Sequence, residues 1–215
     1  MAAAKLVRSG SVAADIGTDH GRLICHLIAS GNCPRGFACD IAEKPLNAAK
    51  QEIGRQGLSD KIEVMLTDGL FGLENRGIQD IIILGMGGDL IGEIITNAPW
   101  IKSDEFRLVL QPMTKAERLR RLLYREGFAI LQETAVISGR FVYSVMQAAY
   151  TGNTQDIGDE LAWGGLIKPT TDANREYLRR TANKIKSRAD GLALTKGREK
   201  EAADYYDLAK NILEV

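Results

Sequence analysis

Along the first 150 residues, short apolar runs alternate with stretches whose apolar positions recur every three to four residues, the pattern of strands followed by helices. Val12-Ala13-Ala14 leads to Asp15 and Gly17, and an amphipathic stretch follows from His20 to Ser30. A second apolar run, GFACDI at 36–41, contains Asp40 and precedes helical spacing over 43–55. Residues 61–66 alternate polar and apolar, which predicts a half-exposed outer strand opening a third strand–helix unit. Asp80 to Leu84 is apolar on both faces, as a central parallel strand requires, and a helix is expected over 90–97. A fifth strand, 106–110, precedes a helix from near Thr114 to Arg125, in which Thr114 and Glu117 have capping-box spacing. Two further runs, 128–136 and 140–150, are separated by three residues and predict an antiparallel hairpin.

The order is therefore five strand–helix units closed by a hairpin. Nicotinamide-binding Rossmann domains do not usually end this way, whereas Rossmann-like methyltransferases using S-adenosylmethionine do. After a glycine-rich linker at 157–169 the chain is helical in pattern. Leu178, Ile185 and Leu192 recur every seven residues with Ala182 and Ala189 between them, and Ala202, Tyr205 or Tyr206, Ala209 and Ile212 share one side of a second helix. Two antiparallel helices, a hairpin or short coiled coil, are expected.

Composition adds limits. The 215 residues carry 28 basic and 28 acidic side chains, so any basic face must come from local patterning. Two such runs occur. One is Lys115, Arg118, Arg120, Arg121 and Arg125; the other is Arg175, Arg179, Arg180, Lys184, Lys186 and Arg188, opposed by Glu176. Either run serves equally as a solvated helix face, but together they suit a phosphate backbone. Cys25, Cys33 and Cys39 lack metal-site or redox spacing and are expected as buried thiols in a reducing cytosol. His26, one turn past His20, reads as a helix-face histidine. No metal site and no membrane span are expected, and the N-terminal segment is too short for a secretory signal.

The chemistry concentrates at strand ends. VAADIGTDHG at 12–21 is a strand, tight turn and helix start, with G-x-x-x-G in place of the G-x-G-x-x-G that a dinucleotide pyrophosphate requires. Asp15, Asp19 and His20 beside that turn suit an amino group or a ribose better than a pyrophosphate. Asp40 stands near the offset at which a second-strand acid meets ribose hydroxyls and is a ribose candidate, the lesser alternative being a cap on the next helix. Asp68-Gly69 can border an adenine amino group or simply make a turn. Gly85, Gly87 and Gly88 strip side chains from a position outside mid-sheet where a flat group can lie against backbone, or they pack the following helix.

ADIGTDHG at 14–21, Asp40, TDGL at 67–70, ILGMGG at 83–88, LQP at 110–112 and GRFVYSVMQA at 139–148 together resemble the bacterial tRNA (adenine-22-N1)-methyltransferase family, TrmK. The resemblance spans nearly the whole chain. It implies an α/β fold with a Rossmann-like seven-stranded class I methyltransferase sheet over 1–155, followed over 156–215 by a linker and a helical coiled-coil hairpin that helps hold tRNA. S-adenosyl-L-methionine is the implied cofactor. Asp15, Gly17, Thr18, Asp19, His20 and Gly21 would surround its methionine end, Asp40 with Ile41 its ribose, and Asp68 with Gly69 its adenine, with Gly85 alongside. The target adenine would enter edge-on at the glycines, with backbone groups of Gly85 and Met86 as partners and Asp19 or His20 accepting a proton. Gly87, Gly88, Gln111, Pro112, Arg118, Arg121, Arg175, Arg179, Arg180 and Lys184 would contact the tRNA. The helix expected before LVRSG is short or absent, and Arg22 stands where family members often carry an aromatic residue. A cytoplasmic monomer or weak dimer is expected. A methyltransferase for a small molecule or a protein, and a non-catalytic nucleotide-binding module, are the competing readings.

Overall fold

The computed structural model describes residues 2–214. Seven strands form one sheet in the order β3-β2-β1-β4-β5-β7-β6. The strands are β1 (Ala13–Ile16), β2 (Gly36–Asp40), β3 (Ile62–Leu66), β4 (Asp80–Gly87), β5 (Arg107–Thr114), β6 (Phe128–Ser138) and β7 (Phe141–Tyr150). The first five are parallel, and β7 runs antiparallel between β5 and β6. Ile81, Ile82 and Ile83 of β4 are fully buried, because helices cover both faces of the sheet. Each such side chain contributes roughly 1.5–3 kcal/mol of burial.

One face packs under α4 (Gly88–Thr96) and α5 (Ala116–Arg125). The other packs under α1 (Ala2–Leu6), α2 (Arg22–Ala29) and α3 (Glu43–Arg55) and takes in Cys25 and Cys33, whereas Cys39 lies on the α4 and α5 face; all three cysteines are free and buried. Burial pushes the Cys39 thiol up to about 12, with the Asp15 carboxylate adding to the shift, so it is a packing group and not a nucleophile. No helix is long and apolar enough to cross a membrane, and no cluster of metal-ligating side chains occurs, among the described residues.

Four details differ from the sequence expectation. The third strand has no helix after it. Residues 67–79 cross to β4 as turns, because Gly69, Gly72, Asn75 and Gly77 all take positive φ while Leu70, Leu73 and Ile78 anchor the segment in the core. The capping box is absent: Thr114 is the last residue of β5, paired with Gly87, and Lys115 at φ 55° turns the chain into α5. Ala42, not Asp40, precedes α3 as its cap residue, with Asp40 Oδ1 accepting from the Ala42 N–H at 2.8 Å. Finally, the linker contains a helix, α6 (Asp159–Gly164), and buries Trp163.

The chain ends in α7 (Asp172–Ala193) and α8 (Glu199–Glu214). Leu178, Ala182, Ile185, Ala189 and Leu192 are buried, and α8 meets this seam with Ala202, Leu208, Ala209 and Ile212. The resulting cluster also takes in Ala135 of β6 and Trp163, which seats the helical hairpin on the edge of the sheet.

Candidate functional site

Sheet order reverses between β1 and β4, and a crevice outside their carboxyl ends is where open α/β sheets bind ligands. The residues on its two lips are those that the sequence singled out. From β1 come Asp15 and Gly17; from β4 come Gly85 and Met86.

Asp15 is 6% exposed and accepts a 2.7 Å hydrogen bond from the Thr18 hydroxyl, itself buried. Burial pushes the Asp15 carboxyl up to about 6; the Thr18 hydrogen bond opposes that shift and the nearby charge of Asp40 adds to it. A buried, half-satisfied carboxylate of this kind is a site for a hydrogen-bonding or cationic ligand group. Gly17 has φ 72°, and a side chain there would begin 2.1 Å from Met86 Cε, so the methionine lies directly on the glycine. The N–H groups of Gly17 and Thr18 are spent on the Cys39 carbonyl, at 2.8 and 2.9 Å. They tie β1 to β2 and do not point at a ligand.

Asp19 and His20 are exposed beyond the turn and lie 3.2 Å apart, with His20 itself at φ 59°. Gly21 is buried and faces away from the crevice: a side chain would meet Ala49 of α3 at 3.2 Å. Asp40 is half-buried at the end of β2, and the neighbouring Ile41 is 68% exposed. Asp68 and Gly69, just after β3, open onto a cleft of about 290 Å³ that is also lined by Phe71, Leu90, Ile94 and Trp100. Acidic groups thus stand at or within two residues of the carboxyl ends of β1, β2 and β3, three adjacent parallel strands.

The glycine segment is not a loop. Gly85 to Gly87 continue β4, with an irregular register against Gln111–Thr114 of β5. Gly85 has φ 76° and open space where a side chain would stand. Its N–H donates to Gln111 Oε1 at 3.1 Å, and Gln111 Nε2 is buried with no partner among the described residues. Gly88, expected to touch substrate, is buried, and a Cβ there would lie 2.6 Å from the Lys115 carbonyl oxygen. It therefore packs α4 against the β5–α5 corner. Gly87, paired with Thr114, lies at the edge of that contact, and Pro112 is buried opposite Met86.

Most of the expected basic contacts are already engaged. Arg118 and Lys115 both reach Asp89. Arg121 donates to the Ile157 carbonyl at 2.6 Å and pairs with Asp159, so it tethers the linker. Arg175 pairs with Asp172, and Arg179 and Arg180 hold Glu176 down at about 2 through their hydrogen bonds. Lys184 lies 3.8 Å from Glu117 and 5.0 Å from the centre of the Trp163 ring. Arg120 is fully buried and paired with Glu133. Sequence reading missed Ser144, Trp163 and Thr181, which meet Arg180 and Lys184 in a second cleft. They are far apart in the chain and share no motif; only docking of the tail assembles them.

The Methyltransferase domain family matches residues 1–146. A tRNA (adenine(22)-N(1))-methyltransferase of Bacillus subtilis (strain 168) is 29% identical over 223 aligned residues, covering 98% of this chain and 94% of that protein. The crystal structure of the B. subtilis M1A22 tRNA methyltransferase TrmK is similar at a TM-score of 0.82 and 26% identity, covering 99% of this chain and 96% of that one. A Streptococcus agalactiae protein of the NADB-Rossmann superfamily is similar at a TM-score of 0.85 and 27% identity, covering 99% and 94%.

Proposed function

The chain belongs to the methyltransferase domain family and, within it, to the tRNA (adenine-22-N1)-methyltransferases, and on that premise we propose a site assignment for the reaction. The protein transfers a methyl group from S-adenosyl-L-methionine to N1 of adenine 22 in tRNA. The observation that carries the assignment is the row of acids, Asp15, Asp40 and Asp68, at the ends of three adjacent parallel strands, beside the open backbone of Gly85.

The residues present fit the cofactor. Asp15 and Thr18 would take its polar methionine end, Asp40 beside exposed Ile41 its ribose, and Asp68 with Gly69 its adenine, in a cleft whose apolar walls include Leu90, Ile94 and Trp100. When bound, the cofactor supplies an electrophilic methyl group. The protein's own share is alignment and exclusion of water, because adenine N1 already carries an in-plane lone pair. A bond forms from N1 to the methyl carbon as the sulfur–carbon bond breaks, and the positive charge passes to the purine.

Gly85 leaves room for the purine edge, and Gln111 Nε2 is a buried donor that nothing among the described residues satisfies. A ligand acceptor in the crevice would satisfy that donor. Asp19 or His20 would accept a proton from the exocyclic amine. A base within folded tRNA is extruded before it can enter. Reduced, buried thiols and a tRNA substrate support a cytoplasmic protein, which we take to be a monomer or weak dimer.

Labelled cofactor incubated with bulk bacterial tRNA, followed by mapping of the modified nucleotide, tests the reading. Label at N1 of adenine 22 is expected. Transfer only to a protein or small molecule, or cofactor binding without any transfer, would overturn it in favour of one of the competing readings.

A further inference from the structure

A second cleft lies one strand away from the glycine edge, between the β5–α5 corner, the start of β7 and the face of α7, with a volume of about 170 Å³. Thr114 on its rim pairs with Gly87, and the carbonyls of Thr114 and Lys115 press on Gly88. Neighbouring strands are about 4.8 Å apart, so the cleft is adjacent to the place where the target base enters.

Its chemistry is graded from mouth to floor. Lys115, Arg180 and Lys184 stand half-exposed or more at the mouth, against the single acid Glu117 on the lining. Trp163 forms part of the wall. Ser144 lines the floor; it is 1% exposed and its hydroxyl has no hydrogen-bond partner among the described residues. A buried hydroxyl without a partner is costly, so a ligand group that satisfies it is favoured. Cations outside, an aromatic wall and an unpaired hydroxyl inside match a nucleotide, with its phosphate at the mouth and its base edge inward.

We propose that this cleft holds a nucleotide flanking the adenosine that is methylated, gripping the strand at the point where the target base leaves its stack. The proposal rests on the tRNA reading above and extends it from the reacting base to its neighbour. Nucleobase-modifying enzymes that extrude their target do take part of their selectivity from contacts to flanking nucleotides. Ser144 and Lys184 are positioning residues here, since neither meets the reacting atoms.

The test is a coupling measurement on methylation of a tRNA transcript. Ser144→Ala and Lys184→Ala are each combined with transcripts carrying an abasic site immediately on one side or the other of the target adenosine. One of the two abasic transcripts is expected to lower kcat/KM of the unaltered protein about tenfold, and Ser144→Ala on the intact transcript about fivefold, as loss of one hydrogen bond should. In combination the losses should be less than multiplicative, with cofactor affinity unchanged. Fully multiplicative losses with both transcripts, or no loss with either, overturn the proposal while leaving adenine methylation intact. Absence of methylation on the intact transcript would instead reject the underlying function. Both side-chain changes are small or exposed; unchanged thermal unfolding of each variant separates lost contact from lost fold.

Discussion

Arg120 and Glu133, both fully buried, form an ion pair with a nitrogen–oxygen distance of 2.7 Å at the junction between the sheet and the helical tail. Arg120 also donates to the Ala162 carbonyl at 2.7 Å and to the Tyr177 hydroxyl at 2.8 Å, while Glu133 accepts from the Leu166 N–H at 3.0 Å. One pair thus ties α5, β6, the end of α6 and α7 together. The tail is held against the sheet at a buried, hydrogen-bonded junction, so its basic face keeps a defined position relative to the crevice.

Breaking that pair on one side leaves an uncompensated buried charge. Arg120→Met is expected to lower stability by about 3–5 kcal/mol, and Glu133→Leu similarly. Arg120→Met with Glu133→Leu should lose clearly less than the sum, because no charge is stranded. Chemical denaturation of the three variants measures this, and additive losses would show that the pair does not act as a unit.

Gly17 and Met86 should behave as a coupled pair. Gly17→Ala adds a Cβ 2.1 Å from Met86 Cε at a backbone φ of 72°, so clash and left-handed strain combine. The strain is expected to lower stability by about 1–2 kcal/mol, and cofactor affinity is expected to fall as Met86 is displaced over the crevice. Met86→Ala in the same chain should restore part of it by removing the clash. Calorimetric titration with the cofactor gives the answer, and no restoration would place the whole effect in the backbone.

Glycines 85 and 88 are expected to separate. Gly85→Ala meets open space but sits at φ 76°, so it should lose about 1–2 kcal/mol of stability and slow methylation while cofactor binding persists. Gly88→Ala drives a Cβ into the Lys115 and Thr114 carbonyls, and its effect should be the larger on thermal unfolding. If Gly85→Ala methylates tRNA at the normal rate, the open backbone there does not receive the purine.

Asp15 makes stability depend on pH. Its carboxyl is pushed up to about 6, above the value of about 3.9 in an unfolded chain. Folding therefore takes up a proton between those values, and this contribution is full below about pH 4 and declines as pH rises to 6. Asp15→Asn removes the penalty of ionising a buried carboxyl. It should stabilise the cofactor-free protein by roughly 1–3 kcal/mol at pH 7 and not at pH 4. Cofactor affinity should fall in the same variant, the usual conflict between stability and a functional site. Denaturant titrations at the two pH values, with cofactor titrations at pH 7, check both halves.

Asp19→Asn and His20→Asn test the proton acceptor. Asn tolerates the left-handed backbone at position 20, so folding and cofactor binding should persist in each. A reduced methylation rate in one variant identifies the acceptor, and unchanged turnover in both removes the pair from the chemistry.

The alternation of apolar runs and amphipathic stretches determined the sheet, its parallel core and the closing hairpin, because strand and helix periodicities are local and an apolar Ile81-Ile82-Ile83 run has only one comfortable place in such a sheet. The acids at strand ends and the glycine segment were legible for the same reason: each lies at or close to the end of its own strand. What the sequence left open was decided by contacts between residues distant along the chain. Lys115 in a left-handed conformation starts α5 where Thr114 looked like a cap, since pairing of Thr114 with Gly87 holds it in the strand. Gly21 and Gly88 serve packing against Ala49 and the Lys115 carbonyl, which no spacing reveals. Arg120 reads as one more surface cation until the tail buries it on Glu133. Residues 114–117, 144, 163, 180, 181 and 184 make a cleft only once α7 docks on the sheet edge, because burial and partner choice belong to the assembled fold and are not encoded in any single segment.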